Sequence, residues 1–136
     1  MSPIDKHPPS YPGSTYPADA ALDGLARAYA QDLMRCHPVM ATFMGIHDHD
    51  RRLPHATPEA ADERARELCE VLSELDSLKA QELGPDAALD RQLLECMVRA
   101  ERLEWQEIRS FERDPRGVND SISWGLLTLI QRNFAP

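Results

Sequence analysis

The chain has 136 residues, 42% hydrophobic and 28% charged, with a formal net charge of −8. That length suits one small domain, large enough to bury a core without disulfides or metals. The acidic balance excludes nucleic acid, which needs a basic footprint to displace counterions, and the ordinary charge fraction excludes collagen-like and wholly disordered chains.

Residues 1–17 contain Pro3, Pro8, Pro9, Pro12 and Pro17. Proline lacks the amide donor of a helix ladder, so this stretch reads as an irregular arm, extended or disordered. It holds no apolar run of the signal-peptide kind. No stretch approaches the ~18 apolar residues of a membrane span. Leu22, Leu25, Ala26, Tyr29, Leu33 and Cys36 then recur at helical spacing. They predict a helix over 18–36, with Thr15 or Asp19 as its cap. Pro38 ends it by restricting His37. Pro38 also suits the first position of a short apolar helix to Met44, with Gly45 as its stop. A polar loop follows from Ile46 to Ala56.

Thr57-Pro58-Glu59 is a helix start: a hydroxyl cap, proline at the first position and an acid for the dipole. The predicted helix runs to about Ala80, with Ala61, Ala65, Leu68, Leu72, Leu75 and Leu78 as its buried stripe. Leu83-Gly84-Pro85 breaks it. Asp86 then caps a helix reaching about Glu112. Its apolar contributors are Leu89, Leu93, Met97, Ala100, Leu103, Trp105, Ile108 and Phe111. Glu95 and Arg99 stand four apart in the favourable order. The short break makes the two helices a long antiparallel hairpin. Asp114-Pro115-Arg116-Gly117 reads as a stop and turn. Asn119, Asp120 or Ser121 caps a last helix, Ile122 to Gln131, apolar nearly all round in the manner of a buried helix. The fold class is all-α: the hairpin packed with shorter helices, behind an irregular N-terminal arm. Residues 1–17 form the arm and residues 18–136 the helical domain.

The charge is uneven. Residues 58–114 carry eight basic and sixteen acidic side chains, which reads as the solvated faces of the hairpin. Cys36, Cys69 and Cys96 are widely spaced, with no Cys-x-x-Cys. Cys69 and Cys96 fall in apolar stripes, where a reduced cysteine serves as a small hydrophobe. A reducing cytoplasm is the expected location.

Catalytic patterns are missing from the sequence. A zincin helix needs a His followed by Glu and a second His one turn on. The five histidines precede Pro8, Pro38, Asp48, Asp50 and Ala56. His47-Asp48-His49-Asp50 is the densest run of metal-capable side chains and reads as a polar loop. Cys36 and His37 are neighbours in sequence, which does not make a nucleophile and its base. Trp105 and Trp124 read as core rather than pocket. No catalytic, cofactor-binding or metal residue is assigned.

The order of these features resembles the opening of a bacterial family, domain-of-unknown-function family 885, related to zinc-dependent peptidases. The resemblance rests on Leu25-Ala26-Arg27-Ala28-Tyr29 and on His37-Pro38-Val39-Met40-Ala41-Thr42-Phe43-Met44-Gly45. Asp50-Arg51-Arg52-Leu53-Pro54, Thr57-Pro58-Glu59 and Leu89-Asp90-Arg91-Gln92-Leu93-Leu94 follow in the same order. Trp105 to Pro115 and Gln131-Arg132-Asn133-Phe134-Ala135-Pro136 complete it, so it covers roughly residues 18–136. His37 stands where such sequences commonly carry Asp. Members are several times longer, and their His-Glu zinc motif lies far downstream of the matched region.

The resemblance implies an N-terminal helical segment of a metallopeptidase-like hydrolase, bracing the enzyme or walling its substrate channel. Zinc is implied for the full-length family alone, and the partner would be the missing C-terminal catalytic region. The chain then reads as the N-terminal part of a larger, truncated protein. The alternative is a free-standing interaction module that meets another protein through its apolar 118–131 region. Neither reading involves nucleic acid or a membrane.

Overall fold

A computed structural model describes residues 10–131. Six α-helices follow in chain order: α1 (Asp19–Cys36), α2 (Pro38–Phe43), α3 (Pro58–Ser77), α4 (Pro85–Leu103), α5 (Ser110–Arg113) and α6 (Pro115–Gln131). A 3-10 turn, Ala80–Glu82, joins α3 to α4, and a π turn, Glu104–Ile108, joins α4 to α5. The described residues contain no strand, so the fold is all-α.

Proline and its neighbours set most of the boundaries. His37 leaves helical geometry at φ −119° and ψ 66°, ahead of Pro38. Gly45, at φ +84°, supplies the left-handed residue that ends α2. Thr57 accepts the Ala60 amide at 3.2 Å and Pro58 opens α3. At α4 the cap is Gly84, without a side-chain bond. Asp86, expected as the cap, lies inside the first turn because Pro85 takes the first helical position.

The α3–α4 pair is antiparallel. Arg91 near the start of α4 donates its Nε to the Leu75 carbonyl late in α3, at 3.0 Å. Arg64, early in α3, meets Glu101 late in α4. α1 lies on this hairpin. Leu22 and Tyr29 of α1, Leu68, Leu72 and Leu75 of α3, and Ala87, Leu94 and Val98 of α4 form one buried cluster. Of the stripe the spacing predicts, Ala61, Leu68, Leu72 and Leu75 are buried and Ala65 is half-buried, while α3 ends at Ser77 and leaves the half-buried Leu78 just past it. α2 and α6 pack on each other beside this body.

Three expectations need correction. First, α4 buries the other face: Leu89, Leu93, Met97, Leu103 and Ile108 are exposed, while Ala87, Leu94 and Val98 point inward. Second, the α-helix stops at Leu103 instead of reaching Glu112. The Arg109 amide bonds back five residues to the Glu104 carbonyl at 2.8 Å, and Arg109 takes a left-handed conformation at φ 49°. Its guanidinium bonds Asp62 at 3.0 Å and Glu112 at 2.7 Å, and these partners hold the residue in that conformation. Third, the last helix begins at Pro115, seven residues before Ile122. Asp114 accepts the Arg116 amide at 3.0 Å, so Asp114-Pro115 acts as a helix start like Thr57-Pro58. This helix is not buried: Ile122, Trp124, Leu126, Leu127 and Ile130 are exposed. Cys69 and Cys96 are exposed too.

Residues 10–17 lie against the helices. Ser10 Oγ donates to Asp23 at 2.6 Å, and the Tyr11 hydroxyl donates to Asp90 at 2.6 Å. Asp19, 3% exposed, accepts the Gly84 amide at 2.9 Å and the Ser14 hydroxyl at 2.5 Å. This carboxylate ties the start of α1 to the α3–α4 turn. The arm expected over 1–17 falls, for residues 1–9, outside the described residues.

The adjacent leucines of α4 separate the two possible faces. Leu94→Ala is expected to cost about 2–5 kcal/mol, the range for a core truncation. Leu93→Ala should stay within about 0.5 kcal/mol, as for a surface change. Urea unfolding of both variants measures the contrast, and equal losses would contradict the burial of Leu94.

Candidate functional site

The sequence spacing Ala61-x-x-Arg64-x-x-x-Leu68 puts an arginine on the buried stripe of α3. Its side chain is 4% exposed. A guanidinium this far from water must be paired, because the desolvation cost is several kcal/mol per ion. Its Nε donates to Glu101 Oε1 at 2.8 Å and one terminal nitrogen to Glu101 Oε2 at 3.1 Å, a two-pronged contact. The other terminal nitrogen bonds Asp32 and, at 3.1 Å, Glu67. Glu101 Oε2 also accepts the Tyr29 hydroxyl at 2.8 Å. Arg35 closes the outer side, bonding Asp32 at 2.6 Å and Glu67 at 3.2 Å. Burial opposes the charge of Arg64, but the hydrogen bonds and charge of Glu101 outweigh it and push its pKa above the ordinary range. Burial, then the bond to Glu101, pushes the Tyr29 pKa up as well. This cluster went unseen in the sequence, although one charged residue on an otherwise apolar stripe was its signal.

Asp32, Cys36 and Glu67 are, among the described residues, the one group whose metal-capable atoms lie within 4.8 Å of one another. Asp32 and Cys36 are one turn apart on α1, a spacing that suits ligation. The group nonetheless does not fit a zinc centre. Arg35 and Arg64 hold both carboxylates, and a dication would lie against the buried Arg64 charge. Burial raises the Cys36 pKa, whereas zinc takes a thiolate.

The His47–Asp50 run is divided. His47 Nδ1 lies 3.0 Å from Asp50 Oδ2, and the other Asp50 oxygen accepts the Thr42 hydroxyl at 2.7 Å. Asp48 and His49 line an open cleft of about 590 Å³ between the loop and the α1–α3 surface. The loop is thus pinned to α2 by Asp50. Cys36 and His37 make no hydrogen bond with each other among the described residues, so no nucleophile–base pair forms there.

His37 sits where two apolar clefts meet. One, of about 470 Å³, lies between α2 and α6 and is lined by Phe43 and Trp124. The other, of about 310 Å³, is lined by Cys36, Trp105 and Phe111. The His37 and Trp105 rings are 6.4 Å apart. Trp105 packs on the core as expected, but Trp124 is 58% exposed. The described residues thus place a charge-paired strut inside and large apolar side chains outside.

Arg64→Ala is expected to destabilise the fold by about 3–5 kcal/mol, because Glu101 is left buried without its counterion. Acid should act in two stages. Burial, opposed by the Glu101 charge, holds the His37 pKa below its ordinary value of 6.5. The unfolded chain then binds that proton first, so stability is full above pH 6.5 and declines below it, toward the folded pKa. For Asp32, burial raises the pKa, but the Arg35 bond and Arg64 charge outweigh it and bring it below 3.8. Its contribution is present above pH 3.8 and lost as the pH falls through the lower folded value. Urea melts at pH 8, 5.5 and 3.5 read both stages. His37→Gln should remove the upper stage and leave the lower one.

No family model matches the chain, and no curated protein or solved structure aligns with it significantly.

Proposed function

We propose that this chain is a non-catalytic helical brace, the N-terminal segment of a metallopeptidase-like hydrolase whose zinc motif is carried by another region. The observation that supports this reading most is the apolar face of α6. Ile130 is 81% exposed, and Trp124 and Leu126 are each 58% exposed. Ile122, Leu126 and Ile130 share one face at a spacing of four, and large apolar side chains exposed together in this way mark a surface that is covered in the working assembly. The absence of any His-Glu pair in the sequence agrees with a bracing role. The resemblance of residues 18–136 to family 885 supplies the identity of the covering body. The same α6 face also favours a second reading, a free-standing module that meets an unrelated protein.

Three measurements test the proposal. The purified chain should show no zinc-dependent peptidase turnover, and chelator-sensitive hydrolysis would overturn it. The DNA that follows the Pro136 codon should encode a His-Glu zinc motif, in frame or after a frameshift. Co-expressed with this chain, that region should co-purify with it, and Trp124→Asp with Ile130→Asp should abolish the complex. Unrelated downstream sequence would favour the free-standing module instead.

A further inference from the structure

A second apolar row lies on α4, apart from the α6 face. Leu89, Leu93, Met97 and Leu103 are exposed by 64%, 61%, 44% and 51%. Leu89, Leu93 and Met97 recur every four residues, and Ala100 carries the row on to Leu103 in steps of three, so they form one stripe along the helix. From Leu89 to Leu103 the stripe spans four turns, about 21 Å at 1.5 Å per residue. Its middle is small: Cys96 and Ala100 lie between the leucines, which lets another backbone come close.

The charges around this stripe select its occupant. Asp86 and Asp90 stand one turn apart at its N-terminal end, on the row that continues to Leu93 and Met97. Neither makes an ion pair among the described residues, and Asp90 accepts only the Tyr11 hydroxyl. Like charges four apart on a helix repel. Glu104 and Glu107 stand at the other end, and Glu104 is bonded to the neutral Ser110. On the opposite flank Arg99 is matched by Glu95 at 2.7 Å and adds no net positive charge. The stripe is thus apolar along its length and negative at both ends.

Self-pairing meets repulsion in either direction. Two parallel copies would set Asp86 and Asp90 against themselves. Two antiparallel copies centred on Cys96 would set Asp86 and Asp90 against Glu104 and Glu107. An anionic lipid surface is disfavoured by the same charges.

We infer that the α4 face docks a cationic amphipathic helix, whose apolar side covers Leu89, Leu93, Met97 and Leu103 and whose lysines or arginines meet Asp86 and Asp90. The mode is a helix laid on a helix, read by anchors at i, i+4 and i+7. Apolar contact supplies affinity, and the acidic ends supply selectivity and a faster encounter. The inference stands apart from the proposed bracing role, which uses α6.

Two labelled 18-residue helical peptides test it. They share one leucine face and differ only in flanking residues, lysine in one and glutamate in the other. Fluorescence anisotropy should show the lysine peptide binding one to one, at least tenfold tighter than the glutamate peptide. The gap should narrow at high salt. Leu93→Asp should weaken the lysine peptide tenfold or more, and circular dichroism should show an unchanged fold because Leu93 lies outside the core. Asp86→Asn with Asp90→Asn should keep binding but shrink the preference for lysine. Trp124→Ser should leave both affinities unchanged, which separates this surface from the α6 reading. Equal binding of the two peptides, or indifference to Leu93→Asp, would overturn the inference. So would a dimer in sedimentation that Leu93→Asp dissolves, since the occupant would then be a second copy.

Discussion

The buried guanidinium of Arg64 is the constraint that orders the rest of the fold. Its position on the stripe between Ala61 and Leu68 carries it inside whenever α3 packs. Once inside, it must find carboxylates, or the desolvation cost unfolds the helix that holds it. Glu101 comes from α4, Asp32 from α1 and Glu67 from α3 itself. Three helices are registered by one side chain. Tyr29 locks the arrangement by donating to the same Glu101. Replacement by apolar residues of equal volume would serve stability as well, so the value of the cluster lies in fixing which residues meet.

Rotation of α4 is where that choice matters most. The helix carries two apolar rows, one of Ala87, Leu94 and Val98 and one of Leu89, Leu93, Met97 and Leu103. Transfer free energy alone favours burying the row of larger side chains. The bond from Arg64 to Glu101 and that from Arg91 to the Leu75 carbonyl select the other. The smaller side chains let α4 approach α3 closely enough for the charges to touch. α6 follows the same rule. Among its described side chains, Gly125, where an added Cβ would lie 3.4 Å from Val39, and Thr128, whose hydroxyl returns to the Trp124 carbonyl at 2.7 Å, lie inward. Trp124, Leu126 and Ile130 remain outside.

This explains what was legible in the sequence. Starts built on proline were read where the preceding residue was a familiar cap, as at Thr57-Pro58. Asp114-Pro115 has the same chemistry but followed an expected stop, so it passed for a turn. The stripe of α3 is clear because its leucines, Leu68, Leu72 and Leu75, share one row with Ala61. The face of α4 was not, because periodicity gives the angle between residues and not which row points inward. That decision depends on Arg64 and Glu101, which stand 37 positions apart. The left-handed Arg109 was equally hidden, since its support comes from Asp62 on another helix. No site residue is assigned from the sequence. Adjacency in the polar loop His47-Asp48-His49-Asp50 does not predict its partners: the fold gives Asp50 to His47 and Thr42 and sets Asp48 and His49 in a cleft beside α1 and α3. The assignment of Trp124 to the core followed from the apolar character of its helix. That character is real, but it faces outward.

Leaving large apolar side chains outward on two separate helices is an arrangement that a self-sufficient monomer does not need. It costs core volume, and it places leucine, methionine and tryptophan where water must solvate them. Such a surface is rational when another body completes it. The two faces differ in their charge. α6 carries only Arg116 and Asp120 among its ionisable side chains, so a partner is held there by apolar area with little electrostatic guidance. That is the composition of a long-lived contact resembling a core cut in half. α4 is bracketed by carboxylates at both ends. Electrostatics of that kind discriminates between partners and speeds their approach, while adding less to the final affinity. On this reading the two faces divide the work: α6 joins the chain to the assembly it braces, and α4 admits a cationic helix selectively and in a salt-sensitive way. The strut at Arg64 serves both, because it holds α4 in the one rotation that presents its larger apolar row to a partner.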